Sequence, residues 1–145
     1  MKTVIFDLDG TLCDISHRLP LIKQAKADWP AFFDACDKDA PKPEIISLFQ
    51  ALSDAGNKMI IVSGRSDRTL FKTDQWLSYH GIKPHEIIMR KDGDYTPDDI
   101  LKKSWLDKRL LGDKENILFC VDDRQRVVDM WRNEGLTCLQ VAAWE

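Results

Sequence analysis

The sequence predicts an α/β fold, a parallel five-stranded sheet flanked by helices, on three observations. Short continuous apolar runs recur along the chain, as in strands covered on both faces. Segments with helix start and stop signals lie between them, and strand–helix–strand alternation closes into a parallel sheet with right-handed crossovers. One stretch, residues 14–40, breaks that rhythm and predicts a small helical, cap-like insertion.

The first strand is Thr3–Phe6 (TVIF). Residues 14–40 hold several acidic residues, Trp29, Phe32 and Phe33, and no strand pattern. They read as a mostly helical excursion over one edge of the sheet, with the three aromatics packing it. A helix follows from Lys42-Pro43 to Gly56, then a strand at Met59–Val62. A second helix runs from about Asp67 to Gly81, and a strand follows at Ile87–Met89. The third helix has Thr96 as N-cap, Pro97 at its first position and Asp99 completing a capping box. Ile117–Val121 (ILFCV) is the fourth strand, residues 125–135 the fourth helix, and Thr137–Val141 a weaker fifth strand. Three of the four helices stop at a glycine, as a C′ position prefers. Trp105 and Trp131 fall on apolar helical faces and predict core. Residues 1–145 show no repeat or linker and read as a single domain.

Composition excludes several classes. With 145 residues, 43% hydrophobic and 31% charged, the chain is an ordinary globular domain rather than a disordered or fibrous one. At 16.7 kDa it should bury about 69% of its unfolded surface, enough for a core without disulfides. No apolar run spans a bilayer, and Asp7 and Asp9 interrupt the early apolar stretch that a secretory leader would need. Cys13, Cys36, Cys120 and Cys138 show neither CxxC nor zinc spacing and predict reduced thiols in a cytoplasmic setting. The net charge of −3 argues against stable binding to duplex nucleic acid, while leaving open a grip on one phosphate at a chain end.

In open α/β sheets ligands bind beyond the carboxyl ends of the strands. Those ends read Asp7-Leu8-Asp9-Gly10-Thr11, Ser63-Gly64-Arg65 and Asp122-Asp123-Arg124. Any one of these has an ordinary explanation as a turn or a helix start. Their coincidence at three strand ends points to a site. Four carboxylates there would repel one another at neutral pH, and a hard cation such as Mg²⁺ suits an all-oxygen donor set. No cluster of imidazole or thiol ligands favours zinc; His17, His80 and His85 are scattered. An aspartate can attack phosphorus and become an aspartyl-phosphate, and a second one two residues on can protonate the leaving oxygen and then deprotonate water. Ser63 and the backbone N–H groups after it can hold phosphate oxygens. Either Lys102 or Lys103 can offset the charge that develops on the phosphoryl group.

FDLDGT, VSGR, a lysine on a later helix and VDDR together resemble the haloacid dehalogenase superfamily, whose fold is Rossmann-like. Asp9 is typical of its phosphatases. FDLDGTL with Arg18, VSGRS, the DDILK of residues 98–102 and the stretch 122–142 further resemble the 3′-phosphatase domain of bacteriophage polynucleotide kinase–phosphatases. That resemblance implies Asp7 as nucleophile and metal ligand. It implies Asp9 as general acid/base that reaches metal through its carbonyl, and Asp122 and Asp123 as further Mg²⁺ ligands. It implies Ser63, Gly64 and Lys102 around the phosphate, and Thr11, Arg18, Arg65 and Asp98 toward the substrate, a nucleic-acid 3′-phosphate end or a nucleotide. No GxxxxGK[ST] occurs, so 5′-phosphorylation is not expected of these residues. Two competing expectations remain: a nucleotidase or small-metabolite phosphatase with the same chemistry, and a phospho-accepting receiver domain. The receiver is disfavoured because Asp7 and Asp9 are split by a residue and the third strand ends in Arg90-Lys91.

Overall fold

The apolar runs form strands because alternate side chains of each can be buried on opposite faces of one sheet. In the computed structural model, which describes residues 1–144, five parallel strands lie in the order β5-β4-β1-β6-β7. They are β1 (Thr3–Asp7), β4 (Lys58–Ser66), β5 (Glu86–Arg90), β6 (Ile117–Arg124) and β7 (Cys138–Trp144). Val4, Phe6, Met59, Ile61 and Val121 face one core, shared with Ile46 and Phe49 of α3 (Pro43–Asp54) and Trp76 and Leu77 of α4 (Leu70–Tyr79). Ile5, Ile60, Val62 and Cys120 face the other, shared with α5 (Asp98–Asp107) and α6 (Gln125–Asn133). Each large apolar side chain so buried contributes about 1.5–3 kcal/mol. Trp105 and Trp131 belong to the second core, and all four cysteines are free and buried. No helix among the described residues is long and apolar enough to cross a membrane.

Register sets the site. β1 is central, with Asp7 opposite Val62 of β4 and Phe6 opposite Val121 of β6. Asp7, Ser63 and Asp122 therefore leave the sheet at nearly the same level. β4 and β6 also run past their apolar stretches, through Ser66 and Arg124. The residues that break the apolar pattern are the ones at the carboxyl edge.

Two expectations need correction. Residues 14–40 cover the edge formed by the strands' carboxyl ends, and a strand pair that the sequence did not show closes the excursion. β2 (Cys13–Asp14) pairs antiparallel with β3 (Ala40–Pro41) at its base, enclosing α1 (Pro20–Lys23), α2 (Trp29–Asp34) and a 3₁₀ turn at Ala35–Lys38. Ile15 and Phe32 join the first core, so burial of these apolar residues draws the insertion over the carboxyl ends. The third helix also starts one residue late. Thr96 turns its hydroxyl to Asp94 Oδ1 (2.6 Å). Pro97 occupies the cap position of α5, and no side chain caps that helix.

Candidate active site

A tight turn follows β1. The N–H groups of Thr11, Leu12 and Cys13 all donate to the Leu8 carbonyl, at 3.2, 2.9 and 3.3 Å. Gly10 takes φ +81°, and a Cβ there would strike the Asp123 carboxylate. Both facts demand glycine. Gly10→Ala is expected to lose about 1–3 kcal/mol of stability and most activity, measured by chemical denaturation and by phosphate release. Gly64 is constrained by space alone, because a Cβ there would lie 2.6 Å from Asp98 Oδ1.

Asp7, Asp122 and Asp123 are all buried, with carboxylate oxygens within 4.8 Å of one another. Lys102 Nζ, on α5 and itself buried, donates to Asp7 Oδ1 (2.8 Å) and Asp122 Oδ2 (3.2 Å). Thr11 Oγ1 donates toward Asp7 Oδ2 (3.1 Å) and Asp123 Oδ1 (3.3 Å). Trp131 Nε1 donates to Asp122 (3.3 Å). Burial and the facing Asp122 push the Asp7 carboxyl well above the ordinary range, against the pull of Lys102. Burial disfavours the Lys102 ammonium, but Asp122 and Asp7 win and hold its pKa above the ordinary value. The three clustered carboxylates make the all-oxygen donor set that a hard divalent cation takes.

A second group lies beside the first. Asp9 does not turn its carboxylate into that cluster. Its Oδ1 accepts from Arg18 Nη2 and from Arg65 Nε, both at 2.8 Å. Burial raises the Asp9 pKa, yet the two guanidiniums overcome it and hold the carboxyl at about 2. Arg18 and Arg65 are fully buried (0% exposed), where the sequence placed them toward substrate. Arg18 also lies 4.5 Å over the Phe32 ring, and Arg65 donates to Thr73 Oγ1 (3.0 Å).

A cleft of about 480 Å³ opens over the strand ends. Asp7, Asp9, Gly64, Asp98, Lys102, Asp122 and Asp123 line it. Thr11, Ser63, Arg18 and Arg65 stand behind that lining, each 0% exposed. Ser63 Oγ accepts from the Arg65 N–H (3.1 Å). Of the two candidate lysines, Lys102 faces the carboxylates, while Lys103 is exposed and pairs with Asp107 (2.7 Å). Trp29 and Phe33 wall one side of the cleft and Tyr95 another part of it.

Arg124 and Arg90, read from sequence only as strand-end residues, acquire partners here, and Asp39 was not singled out at all. Arg90 donates to Asp98 Oδ1 (2.5 Å) and to the Gly64 carbonyl (2.7 Å). Arg124 donates to Asp98 Oδ2 (3.0 Å). Both sit at the strand ends where the sequence placed them, and their shared partner Asp98 is what the sequence did not show. Asp39, which binds both Arg18 and Arg65, had no such signal, lying in an acidic run inside the insertion.

Comparison with known proteins gives concordant matches. The family model described as the polynucleotide kinase PNKP phosphatase domain matches residues 1–144. A protein of Autographa californica nuclear polyhedrosis virus, described as a bifunctional polynucleotide kinase/RNA ligase, is 28% identical over 137 residues, 91% of this chain and 18% of its own length. A chain solved in the Pnkp1/Rnl/Hen1 RNA repair complex is 32% identical with a TM-score of 0.85, over 99% of this chain and 43% of that one. The D,D-heptose 1,7-bisphosphate phosphatase of B. bronchiseptica, solved with magnesium and phosphate, shares the fold at 17% identity and a TM-score of 0.63, over 97% of this chain and 80% of that one. The chain thus spans less than half the length of its more similar relatives.

Proposed function

The chain belongs to the family of polynucleotide kinase PNKP phosphatase domains and is a phosphoric monoester hydrolase, and from that premise we propose that it removes a 3′-phosphate from a nucleic-acid end through a phosphoaspartate on Asp7. The arrangement that supports this chemistry is the buried Asp7 carboxylate bonded to Lys102 beside Asp122 and Asp123. The substrate assignment rests on the family. A receiver domain is set aside by the same match.

Asp7, Asp122 and Asp123 would hold Mg²⁺, with the Asp9 carbonyl as a further ligand. The bound ion would draw charge from the phosphoryl oxygens. One Asp7 oxygen attacks phosphorus, the bond to the leaving oxygen breaks, and that oxygen takes its electron pair and a proton from Asp9. The two guanidiniums keep the Asp9 carboxyl ionised in the free protein, and it takes up that proton from the monoanionic phosphate as the substrate binds. Water then attacks the phosphoaspartate and gives its proton to Asp9, releasing phosphate and restoring the Asp7 carboxylate. Lys102 stabilises the developing charge. Ser63, whose oxygen already accepts from Arg65 N–H, keeps its own proton to donate to a phosphate oxygen. Asp98, held between Arg90 and Arg124, orients the wall carrying Lys102. Trp29 and Phe33, whose rings are inclined at 34°, offer apolar ring faces to a nucleoside leaving group.

Phosphate release from a 3′-phosphorylated oligonucleotide, a 5′-phosphorylated one, and 3′- and 5′-mononucleotides tests the proposal. The 3′-phosphates are expected to be preferred, with turnover lost in EDTA and restored by Mg²⁺. Preference for 5′-mononucleotides or for small phosphoesters would replace the polynucleotide assignment with a nucleotidase or metabolite phosphatase. Full activity in EDTA would remove the metal.

A further inference from the structure

Asp39 is the only part of the insertion's return segment whose carboxylate reaches the residues around Asp9 among the described contacts. It precedes β3, which pairs with β2 directly after the catalytic turn. That pairing carries Asp39 back beneath Arg18 although 21 residues separate them. Its side chain is 0% exposed. Oδ1 accepts from Arg18 Nε (2.8 Å) and contacts His17 Nε2 (2.6 Å). Oδ2 accepts from Arg18 Nη2 (2.7 Å) and Arg65 Nη2 (3.0 Å). The backbone is held as well, because Trp76 Nε1 of α4 donates to the Asp39 carbonyl (2.9 Å).

The two guanidiniums that Asp39 bridges are the two that meet on Asp9 Oδ1. Two arginines and two carboxylates form a closed, electrically neutral square, buried except for the 20% of the Asp9 side chain facing the cleft. Two cations forced together in a dry site repel each other strongly. A carboxylate shared between them removes that repulsion, fixing the Arg18 fork by bidentate geometry and holding Arg65 by one bond. The remaining donors are also engaged: Arg18 Nη1 on the Phe32 carbonyl (3.2 Å) and Arg65 Nη1 on Thr73 (3.0 Å). All guanidinium bonds to Asp9 fall on Oδ1, and Oδ2 takes none of them.

We infer that Asp39 is a positioning residue: it clamps Arg18 and Arg65 so that they grip one oxygen of Asp9 and present the other to the leaving group. This rests on the acid/base role proposed for Asp9. Asp39 is buried and does not line the cleft, so its loss should impair proton delivery rather than attack by Asp7. Misplacement of a reacting group by about 1 Å costs on the order of 10²-fold in rate.

The test is the first-turnover release of the leaving group by the whole chain with Mg²⁺. One substrate is a 3′-mononucleotide, whose alkoxide must be protonated. The other is p-nitrophenyl phosphate, whose phenolate leaves without an acid. In Asp39→Asn an amide nitrogen replaces one oxygen and turns toward guanidinium donors, opening the clamp. Release from the nucleotide is expected to fall about 10²-fold, with p-nitrophenol release within about threefold of the parent protein. Rates that are unchanged, or that fall equally on both substrates, would overturn the inference, since a structural defect depletes active enzyme for both. If Asp39→Asn does not fold, Trp76→Phe releases the Asp39 backbone without stranding a charge. It should then show the same selective loss at smaller size, and an equal loss or none would overturn the inference. Asp9→Asn in parallel separates the two failures. A selective loss there without one in the Asp39 variant rejects the clamp alone. No selectivity in Asp9→Asn rejects the acid role beneath it.

Discussion

Asp7→Asn is expected to abolish turnover, by about 10⁴-fold or more, because an amide cannot take the phosphoryl group. The fold should survive. In metal-free protein Asp7 has its pKa raised by burial and by Asp122. A carboxyl raised above its unfolded value makes the native state bind the proton more tightly, so its ionised form costs stability once pH rises past the unfolded value. Asparagine removes that cost. In EDTA at neutral pH the variant should therefore melt at the same temperature as the parent or higher. On this group's account, the parent should gain stability as pH falls through the raised native pKa, and the variant should not. Phosphate release and thermal melts check both parts. Substantial activity in the variant would remove Asp7 as nucleophile, and a large drop in melting temperature would show that Lys102 and Thr11 need its charge for folding.

Arg65→Ala should be the most destabilising single change at the site. It strips a buried guanidinium from Asp9 (2.8 Å), Asp39 (3.0 Å) and Thr73 (3.0 Å). Breaking a buried ion pair from one side costs about 3–5 kcal/mol, and at roughly 2–4 °C per kcal/mol for a chain of this size the melting point falls by about 10 °C. Activity should fall with it, through kcat more than KM, because Asp9 loses a partner and the cleft lining is untouched. Denaturant titration and steady-state kinetics measure the two effects. A stability change below about 1 kcal/mol with a rise confined to KM would instead make Arg65 the exposed substrate ligand that its sequence context suggested.

That contrast marks where sequence reading stops. The sheet was legible because TVIF, MIIV and ILFCV are continuous apolar runs, and a run buried on both faces needs no partner information to be recognised. Helix boundaries followed from Pro43 and from the glycines after α3, α4 and α6. The start of α5 was missed because Thr96 had a competing partner, Asp94, two residues back. Local pattern cannot rank a cap against a turn bond. Residue type and helix position left Lys102 and Lys103 equivalent, the resemblance carried by DDILK favoured Lys102, and helix packing turns Lys102 inward, with Leu101 and Trp105 of α5 buried in the second core. The insertion was recognised by its broken rhythm. Its location was not, since that depends on burying Ile15 and Phe32 against a core assembled from α3 and α4.

By itself the sequence determined the order of strands and helices along the chain. It also determined that three strand ends carry acidic and hydroxyl groups toward one edge, because a side chain's place just after an apolar run is a local property. Tertiary structure alone decided that Arg18 and Arg65 are interior. A long charged side chain is placed at the surface by default, and only partners remote in the chain reverse that. Those partners are Asp39, 21 residues from Arg18 and 26 from Arg65, and Asp9, 56 residues from Arg65. Burying a charge is favourable only once opposite charges and hydrogen bonds surround it, a condition met by the folded arrangement and invisible in any stretch of sequence.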